Sequence, residues 1–103
     1  MTQINFDSLT VGKPIQVDVD GKQVCVARVG DEVFAVSNIC THSHAELSDG
    51  DVKGFVIECW LHGADFDLRT GAAVTLPATE ALETFQVDRS GNVLTISPKT
   101  KEM

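Results

Sequence analysis

The sequence predicts an all-β protein of antiparallel strands. Short segments alternate apolar with polar residues, as half-buried strands do. The pair Asp20-Gly21 separates two such segments and is a strong short-range signal for a hairpin. Helical stretches are missing, apart from Ala78 to Ala81, which could form a single turn. Together these observations predict a fold made of connected hairpins.

A three-strand meander is predicted in the first third of the chain. Ile15 to Val19 alternates apolar and polar residues, and Asp20-Gly21 then reverses the chain. Val24 to Val29 returns as the partner strand. Gly30-Asp31 turns the chain again into a third strand, Val33 to Val36.

The second half predicts shorter strands. Phe55 to Glu58 forms one of them, and Asp65 to Leu68 forms the next. The last hairpin pairs Thr84 to Val87 with Val93 to Ile96, across a five-residue loop of residues 88–92.

Chain length predicts one domain over residues 1–103. A chain of this size supports a single core. We expect an antiparallel β sandwich or barrel as the base, built from strands at both ends of the chain. A smaller cap subdomain is expected to be inserted in this base from about Asn38 to Leu76.

Two Cys-His pairs of the same order predict a metal site. Cys40-Thr41-His42 is followed, after sixteen residues, by Cys59-Trp60-Leu61-His62. Thiolate and imidazole groups are established ligands of transition metals, so the four side chains predict a two-plus-two site. Gly50 and Gly54 between the pairs, and Gly63 after the second, supply backbone without Cβ where the chain turns tightly or approaches the metal centre.

Two kinds of metal centre fit these ligands. One is a structural zinc ion, which also takes two Cys and two His. The other is a [2Fe-2S] cluster in which two thiolates hold one iron and two imidazoles the other. Zinc fingers keep like ligands together and place the His pair on a helix, whereas here Cys and His alternate without a helix, which favours the cluster. His44 is interpreted as an exposed loop residue, since ligation through His44 in place of His42 would need a longer spacing.

From Cys40 to Pro77 the chain resembles the Rieske ferredoxins that serve bacterial aromatic-ring dioxygenases. The resemblance extends more weakly over nearly the whole chain. Three motifs carry it: His62-Gly63 with Phe66-Asp67, the turn Arg69-Thr70-Gly71, and the loop Leu76-Pro77-Ala78.

The resemblance implies one Rieske-type [2Fe-2S] cluster and assigns its ligands. Cys40 and Cys59 would bind the buried iron, while His42 and His62 would bind the iron nearest to solvent. The loop of residues 76–78 would cover a third side of the cluster.

Four positions depart from the respiratory branch of the family. That branch has a disulfide between the two ligand loops, and a Ser and a Tyr whose hydroxyls donate to cluster sulfur. The aligned residues here, which can do neither, are Ala45, Leu61, Ala64 and Phe66. Fewer donors to sulfur stabilise the reduced state less, so we expect a reduction potential near about −150 mV, the low end of the Rieske range.

The sequence argues against an enzyme. Oxygenases of this family activate oxygen at a separate iron held by two His and a carboxylate. This chain has three His, of which the cluster would take two, and it has no G-x-G-x-x-G segment for a nucleotide. The resemblance implies a soluble one-electron carrier between a flavin-dependent NAD(P)H reductase and a terminal oxygenase. An accessory or redox-sensing protein associated with iron-sulfur cluster assembly is the alternative, and the sequence separates the two poorly.

Charge and the exposed ligands suggest how partners bind. Electron-transfer partners are expected to dock transiently near His42, His62, Trp60 and Pro77, although Trp60 could instead pack beside the cluster. The net charge of −7 argues against nucleic acid as a partner. Acidic residues in the cap either keep the protein soluble or steer it towards basic docking sites.

Cysteine use and the N-terminus predict the location. Cys25 is interpreted as a buried strand residue rather than a reactive thiol, and no disulfide can form without dismantling the site, which fits a reducing cytoplasm. The start of the chain lacks the features of a signal peptide, and no segment is long enough to cross a membrane. Nothing in the sequence demands more than a monomer.

Overall fold

The structure, a computed structural model, describes residues 2–39, 46–59, 65–74 and 81–98. This part of the chain contains nine strands and two single 3-10 turns, and no helix in it is long and apolar enough to cross a bilayer. The 3-10 turns are Phe6–Ser8 and Leu47–Asp49. The strands are β1 (Thr2–Asn5), β2 (Ile15–Val19), β3 (Lys22–Val29), β4 (Glu32–Ser37), β5 (Asp51–Lys53), β6 (Val56–Glu58), β7 (Asp65–Asp67), β8 (Thr84–Ser90) and β9 (Val93–Pro98).

Six strands form one antiparallel sheet in the order β1-β9-β8-β4-β3-β2. The sheet is nearly closed, because the Thr2 hydroxyl on one edge strand donates to the carbonyl oxygen of Asp18 on the other. Strands from both ends of the chain pair directly, with Thr2 opposite Ile96. The predicted all-β base is therefore confirmed.

A second sheet, in the order β5-β6-β7, comes from the sequence between β4 and β8. Its outer strands are joined to β6 by short antiparallel ladders, from Asp51 opposite Glu58 to Lys53 opposite Val56, and from Glu58 opposite Asp65 to Val56 opposite Asp67. The cap boundary of about Asn38 to Leu76 stays a prediction, since Leu76 lies outside the described residues.

Strand β3 explains how the two sheets share the core. Val24 and Val26 belong to an apolar cluster inside the six-stranded sheet, whereas Cys25 and Ala27 belong to a second cluster together with residues of the small sheet. Successive side chains of a strand point to opposite faces, so a strand covered on both faces is apolar throughout. The second cluster is the layer that joins the small sheet to the large one.

Turn geometry explains why the hairpin of β2 and β3 was predicted correctly. Asp20 and Gly21 have φ values of 52° and 86°, as a two-residue hairpin turn with two positive φ angles requires. The predicted loop of residues 88–92 was wrong, since β8 continues to Ser90 and only Gly91-Asn92 lie between the paired strands. Ser90 pairs with Val93, and this polar end of β8 is exposed, so no apolar alternation marks it. The predicted helical turn at Ala78 to Ala81 lies mostly outside the described residues.

Candidate metal centre

The first Cys-His pair lies in a segment whose two ends are fixed to each other. Ile39 and Glu46 form an antiparallel bridge, and the Leu47 N–H donates to the Asn38 carbonyl oxygen at 2.6 Å. The residues on either side of 40–45 therefore form a closed stem at the end of β4. The predicted ligands Cys40 and His42, and also His44, lie outside the described residues.

The second Cys-His pair is enclosed by the hairpin of β6 and β7. Glu58 pairs with Asp65, and Cys59 follows Glu58 directly. The side chain of Cys59 is fully buried, in the apolar cluster between the sheets. Trp60 and His62 lie outside the described residues, so Cys59 is the one predicted ligand whose surroundings the structure describes.

The third predicted segment starts beside the second. The Val74 N–H donates to the Asp65 carbonyl oxygen at 2.8 Å, and residues 75–80, with Pro77, follow. The Leu82 N–H then donates to the Gly71 carbonyl oxygen at 2.7 Å. The bond between Val74 and Asp65 thus anchors the residue directly before residues 75–80 to β7.

The 3-10 turn Leu47–Asp49 connects the two ligand stems. Besides the Leu47 bond to Asn38, the Ser48 N–H donates to Asn38 Oδ1 at 2.8 Å. Gly50, which caps the turn, packs against the backbone carbonyl of Glu58. One short turn therefore touches the residue two positions before Cys40 and the residue directly before Cys59.

Asn38 is the functional candidate that sequence reasoning missed. Its side chain is fully buried, and no other polar or charged residue among those described is buried. Oδ1 accepts the bond from Ser48, but Nδ2 has no hydrogen-bond partner. A polar residue at the end of an apolar strand, two positions before the predicted ligand Cys40, was the signal in the sequence.

Three carboxylates form a row across the small sheet, next to Cys59. Asp51, Glu58 and Asp65 lie in register across the three strands of the small sheet, and therefore on one face of it. Lys53 Nζ lies 3.8 Å from Glu58 Oε1. Among the described residues, no group of three or more His, Cys, Asp and Glu side chains is arranged to hold a metal ion.

Asp67 and Arg69 stabilise the turn that follows β7. Asp67 Oδ1 accepts from the Arg69 N–H at 2.8 Å, and Oδ2 accepts from the Arg69 guanidinium at 3.1 Å. The side-chain bond, with the backbone bond second, holds the pKa of Asp67 below its usual value of 3.8. The same guanidinium stacks on Phe55 at 4.7 Å from the ring centre, and Phe55 meets Phe34 of β4 edge-on at 5.8 Å. These contacts help to fix the small sheet on the large one.

Cys25 is a buried thiol, as the sequence predicted. It is fully buried in the same cluster as Cys59, and burial raises the pKa of its thiol to about 12. A thiol that stays protonated at neutral pH is a poor ligand and a poor nucleophile.

The described residues fit an iron-sulfur cluster. Cys59 supplies a buried sulfur beside two closed stems, and Nδ2 of Asn38 is a buried donor that lacks an acceptor. Sulfur ligands and surrounding hydrogen-bond donors are what such a cluster requires. When bound, a [2Fe-2S] cluster accepts and returns one electron.

Comparisons with known proteins show the family of this chain. Residues 3–86 match the Rieske [2Fe-2S] domain. The ferredoxin component of the naphthalene 1,2-dioxygenase/salicylate 5-hydroxylase systems of Ralstonia sp is 40% identical over 82 residues, which cover 80% of this chain and 79% of the relative. The anthranilate 1,2-dioxygenase ferredoxin subunit of Burkholderia cepacia is 38% identical and covers 80% of this chain and 76% of its own length.

A solved structure shows the same fold. The ferredoxin of carbazole 1,9a-dioxygenase from Nocardioides aromaticivorans superposes with a TM-score of 0.90 at 40% identity, and covers 93% of this chain and 94% of that one. The match to the Rieske [2Fe-2S] domain includes both Cys-His pairs, because it extends from residue 3 to residue 86. This chain belongs to the Rieske [2Fe-2S] domain family and carries its type of cluster.

Proposed function

We propose that this protein is a one-electron carrier that takes electrons from a flavin-dependent NAD(P)H reductase and passes them to a terminal aromatic-ring-hydroxylating oxygenase. The observation that carries this proposal is the 40% identity, over about four-fifths of both chains, to a ferredoxin component of such a system. The named relatives are oxygenase ferredoxins, which favours the carrier over the cluster-assembly alternative.

Four residues are proposed as the ligands. Cys40 and Cys59 would bind the inner iron, and His42 and His62 the outer one. Full burial of Cys59 supports its assignment to the inner position, since a buried thiolate is kept from solvent. The segment of residues 47–50 supports the pairing, because it contacts both Asn38, two residues before Cys40, and Glu58, the residue before Cys59.

Docking is proposed at the end of the small sheet where Cys59 follows β6, near His42, His62, Trp60 and Pro77. A carbazole 1,9a-dioxygenase ferredoxin has been seen bound to its oxygenase, and that complex includes a chain 30% identical to this one with a TM-score of 0.87. The row of Asp51, Glu58 and Asp65 lies beside the stems of this end and would steer it towards basic partner surfaces.

We infer a monomer in the cytoplasm. No disulfide joins Cys25 and Cys59, as a reducing compartment allows. A small monomer suits short-lived electron-transfer contacts, which bury little surface. The acidic net charge of −7 disfavours nucleic acid as a partner.

The test is reconstitution of electron transfer. The loaded protein, NADH, and the purified reductase and oxygenase of a naphthalene dioxygenase system should together oxidise naphthalene, and omission of the protein should abolish product. A protein that is reduced by the reductase but never reoxidised by this oxygenase or by those of the anthranilate and carbazole systems would contradict the proposal.

Matched cysteine variants separate the site from the fold. Cys59→Ala should lose the cluster, seen as iron and acid-labile sulfide per chain, and with it product formation. Cys25→Ala makes the same change at the other described buried cysteine and should keep both. Equal loss in the two variants would contradict the assignment of Cys59 as a ligand.

A further inference from the structure

Asn38 holds a buried hydrogen-bond donor without an acceptor. The side chain is fully buried, and Nδ2 has no partner. A buried amide that is left unpaired is costly, and such groups are uncommon in native proteins. Nδ2 therefore calls for an acceptor that the described residues do not supply.

The orientation of the carboxamide is fixed by its neighbours. Oδ1 accepts from the Ser48 N–H at 2.8 Å, and a flip of the amide would place two donors against each other. The backbone N–H of Asn38 donates to the Gln23 carbonyl at 3.0 Å, and its carbonyl accepts from Leu47. The remaining group, Nδ2, is thus held in place with its hydrogens unpaired.

The position of Asn38 points to the group that pairs with Nδ2. Asn38 stands two residues before the ligand Cys40, at the entrance of the first ligand stem. The turn that holds its Oδ1 also carries Gly50, which packs against the residue before Cys59. The turn that binds the Asn38 side chain therefore also contacts the residue before Cys59. The acceptors that cluster binding adds to this region are sulfur atoms.

We propose that Nδ2 of Asn38 donates a hydrogen bond to a sulfur of the bound cluster and stabilises its reduced form. The inference rests on the proposed ligand set. A donor to sulfur offsets the negative charge that reduction adds, so it raises the reduction potential. Asn38 contacts the cluster through this hydrogen bond alone and is not a ligand of iron.

A direct test uses the unaltered protein. The chain has three asparagines, Asn5, Asn38 and Asn92, and the other two lie together at the β1–β9 end, where Asn5 pairs with Val93 and the Asn92 carbonyl accepts from Phe6. Protein labelled with ¹⁵N only in the Asn side chain should show ¹⁵N coupling to the reduced cluster in pulsed EPR. Absence of this coupling in protein that gives a Rieske-type signal would overturn the inference while leaving the proposed function intact. Absence of the Rieske-type signal itself would overturn both.

The redox test uses two variants. Asn38→Leu removes the donor without adding charge, and Asn38→Asp removes the donor while keeping an acceptor for Ser48. At a fixed solution potential, each should reduce the ratio of reduced to oxidised cluster about tenfold, which is about 59 mV for one electron. A shift in the Asp variant alone would be an effect of charge and would overturn the inference, as would a change below about threefold in both.

A matched control separates the hydrogen bond from loosening of the turn. Leu47→Ala removes a fully buried side chain from the same turn and leaves the Asn38 amide in place. It should lower thermal stability but leave the ratio of reduced to oxidised cluster unchanged. If Leu47→Ala shifts this ratio as much as Asn38→Leu, the effect is one of packing and the inference falls. Should Asn38→Leu fail to load, the ¹⁵N experiment on the unaltered protein decides the question.

Discussion

Gly50 packs so closely on the backbone of Glu58 that a Cβ atom at Gly50 would overlap the Glu58 carbonyl oxygen. The backbone of Gly50 is itself ordinary, with φ at −92°. Glycine is therefore needed here for close approach rather than for an unusual conformation. Since Glu58 directly precedes Cys59, this contact sets the position of a ligand stem.

Gly50→Ala should destabilise the protein and impair cluster loading, because the alanine must push β6 and Cys59 aside. We expect a loss of about 3 kcal/mol, at the upper end for overpacking, and less iron per chain. Gly54→Ala is the control. Gly54 has φ at 60° with open space around its Cβ position, so alanine should cost about 1–2 kcal/mol of strain and leave iron content unchanged. Equal iron content in the two variants would show that the Gly50 contact does not position the ligand.

The wild-type reduction potential should lie near about −150 mV, at the low end of the Rieske range. Phe66 is fully buried in the cluster of apolar residues that contains Cys59, and it has no hydroxyl to donate. An EPR-monitored redox titration measures the midpoint. A value above about +100 mV would contradict the argument that few donors surround the sulfurs.

Phe66→Tyr should raise the reduction potential, since it introduces a hydrogen-bond donor among the buried apolar residues around Cys59. Phe85→Tyr makes the same change in the other apolar cluster, inside the six-stranded sheet, and should leave the potential unchanged. Both hydroxyls enter buried positions, so a tyrosine that finds no acceptor should cost about 1–3 kcal/mol. A Phe66→Tyr protein with lower stability and an unaltered midpoint would mean that its hydroxyl reaches no cluster sulfur.

Asp67 should make stability depend on pH in acid. Its bonds from Arg69 lower the pKa of the folded carboxyl below the unfolded value. The stabilisation is therefore complete above the unfolded pKa and is lost as the pH falls through the folded one. Because the Arg69 partner is exposed to solvent, the whole effect should be no more than about 1 kcal/mol. Thermal melts of Asp67→Asn and wild type should differ at pH 6 and converge as the pH falls through the lowered pKa of the folded carboxyl. Arg69→Gln should flatten the same acid dependence, and a constant difference at all pH values would contradict the linkage.

The acidic row of the small sheet should raise the rate of association with redox partners. Removing two charges in Asp51→Asn/Glu58→Gln should slow reduction by the reductase at low salt, and the difference should vanish at high salt. Asp31→Asn/Asp88→Asn removes the same charge from exposed positions of the base. Stopped-flow rates of the two double variants that match at every ionic strength would leave solubility as the role of the row.

Strands were predicted correctly where alternation and turn residues within the strand's own neighbourhood mark them. The bounds of β2 were predicted as Ile15 to Val19 because an alternating segment ends at a turn whose two residues both have positive φ. Strand β1 was missed, since Thr2–Asn5 is short and owes its conformation to pairing with β9, more than eighty residues away. Strand β5 was missed because Asp51 and Lys53 are exposed and charged, so only Val52 marks its apolar face.

In the candidate site, too, the sequence predicted some residues and missed others. Its ligands were predicted from spacing and resemblance, whereas the roles of Asn38 and Gly50 depend on contacts between segments far apart in sequence. Burial of Cys25 was predictable because its strand is apolar on both faces. The orphan amide of Asn38 was not, since a lone polar residue at a strand end is ordinarily a turn residue.

Pairing of β1 with β9, and of β4 with β8, has a consequence for biosynthesis. The base sheet cannot close until the last strand has left the ribosome, and Leu82, a member of the core around Cys59, also follows every predicted ligand in the chain. Sheets that depend on such distant pairings form slowly. A nascent chain therefore presents all four proposed ligand residues while the base sheet is incomplete, which leaves an interval for cluster insertion before that sheet closes.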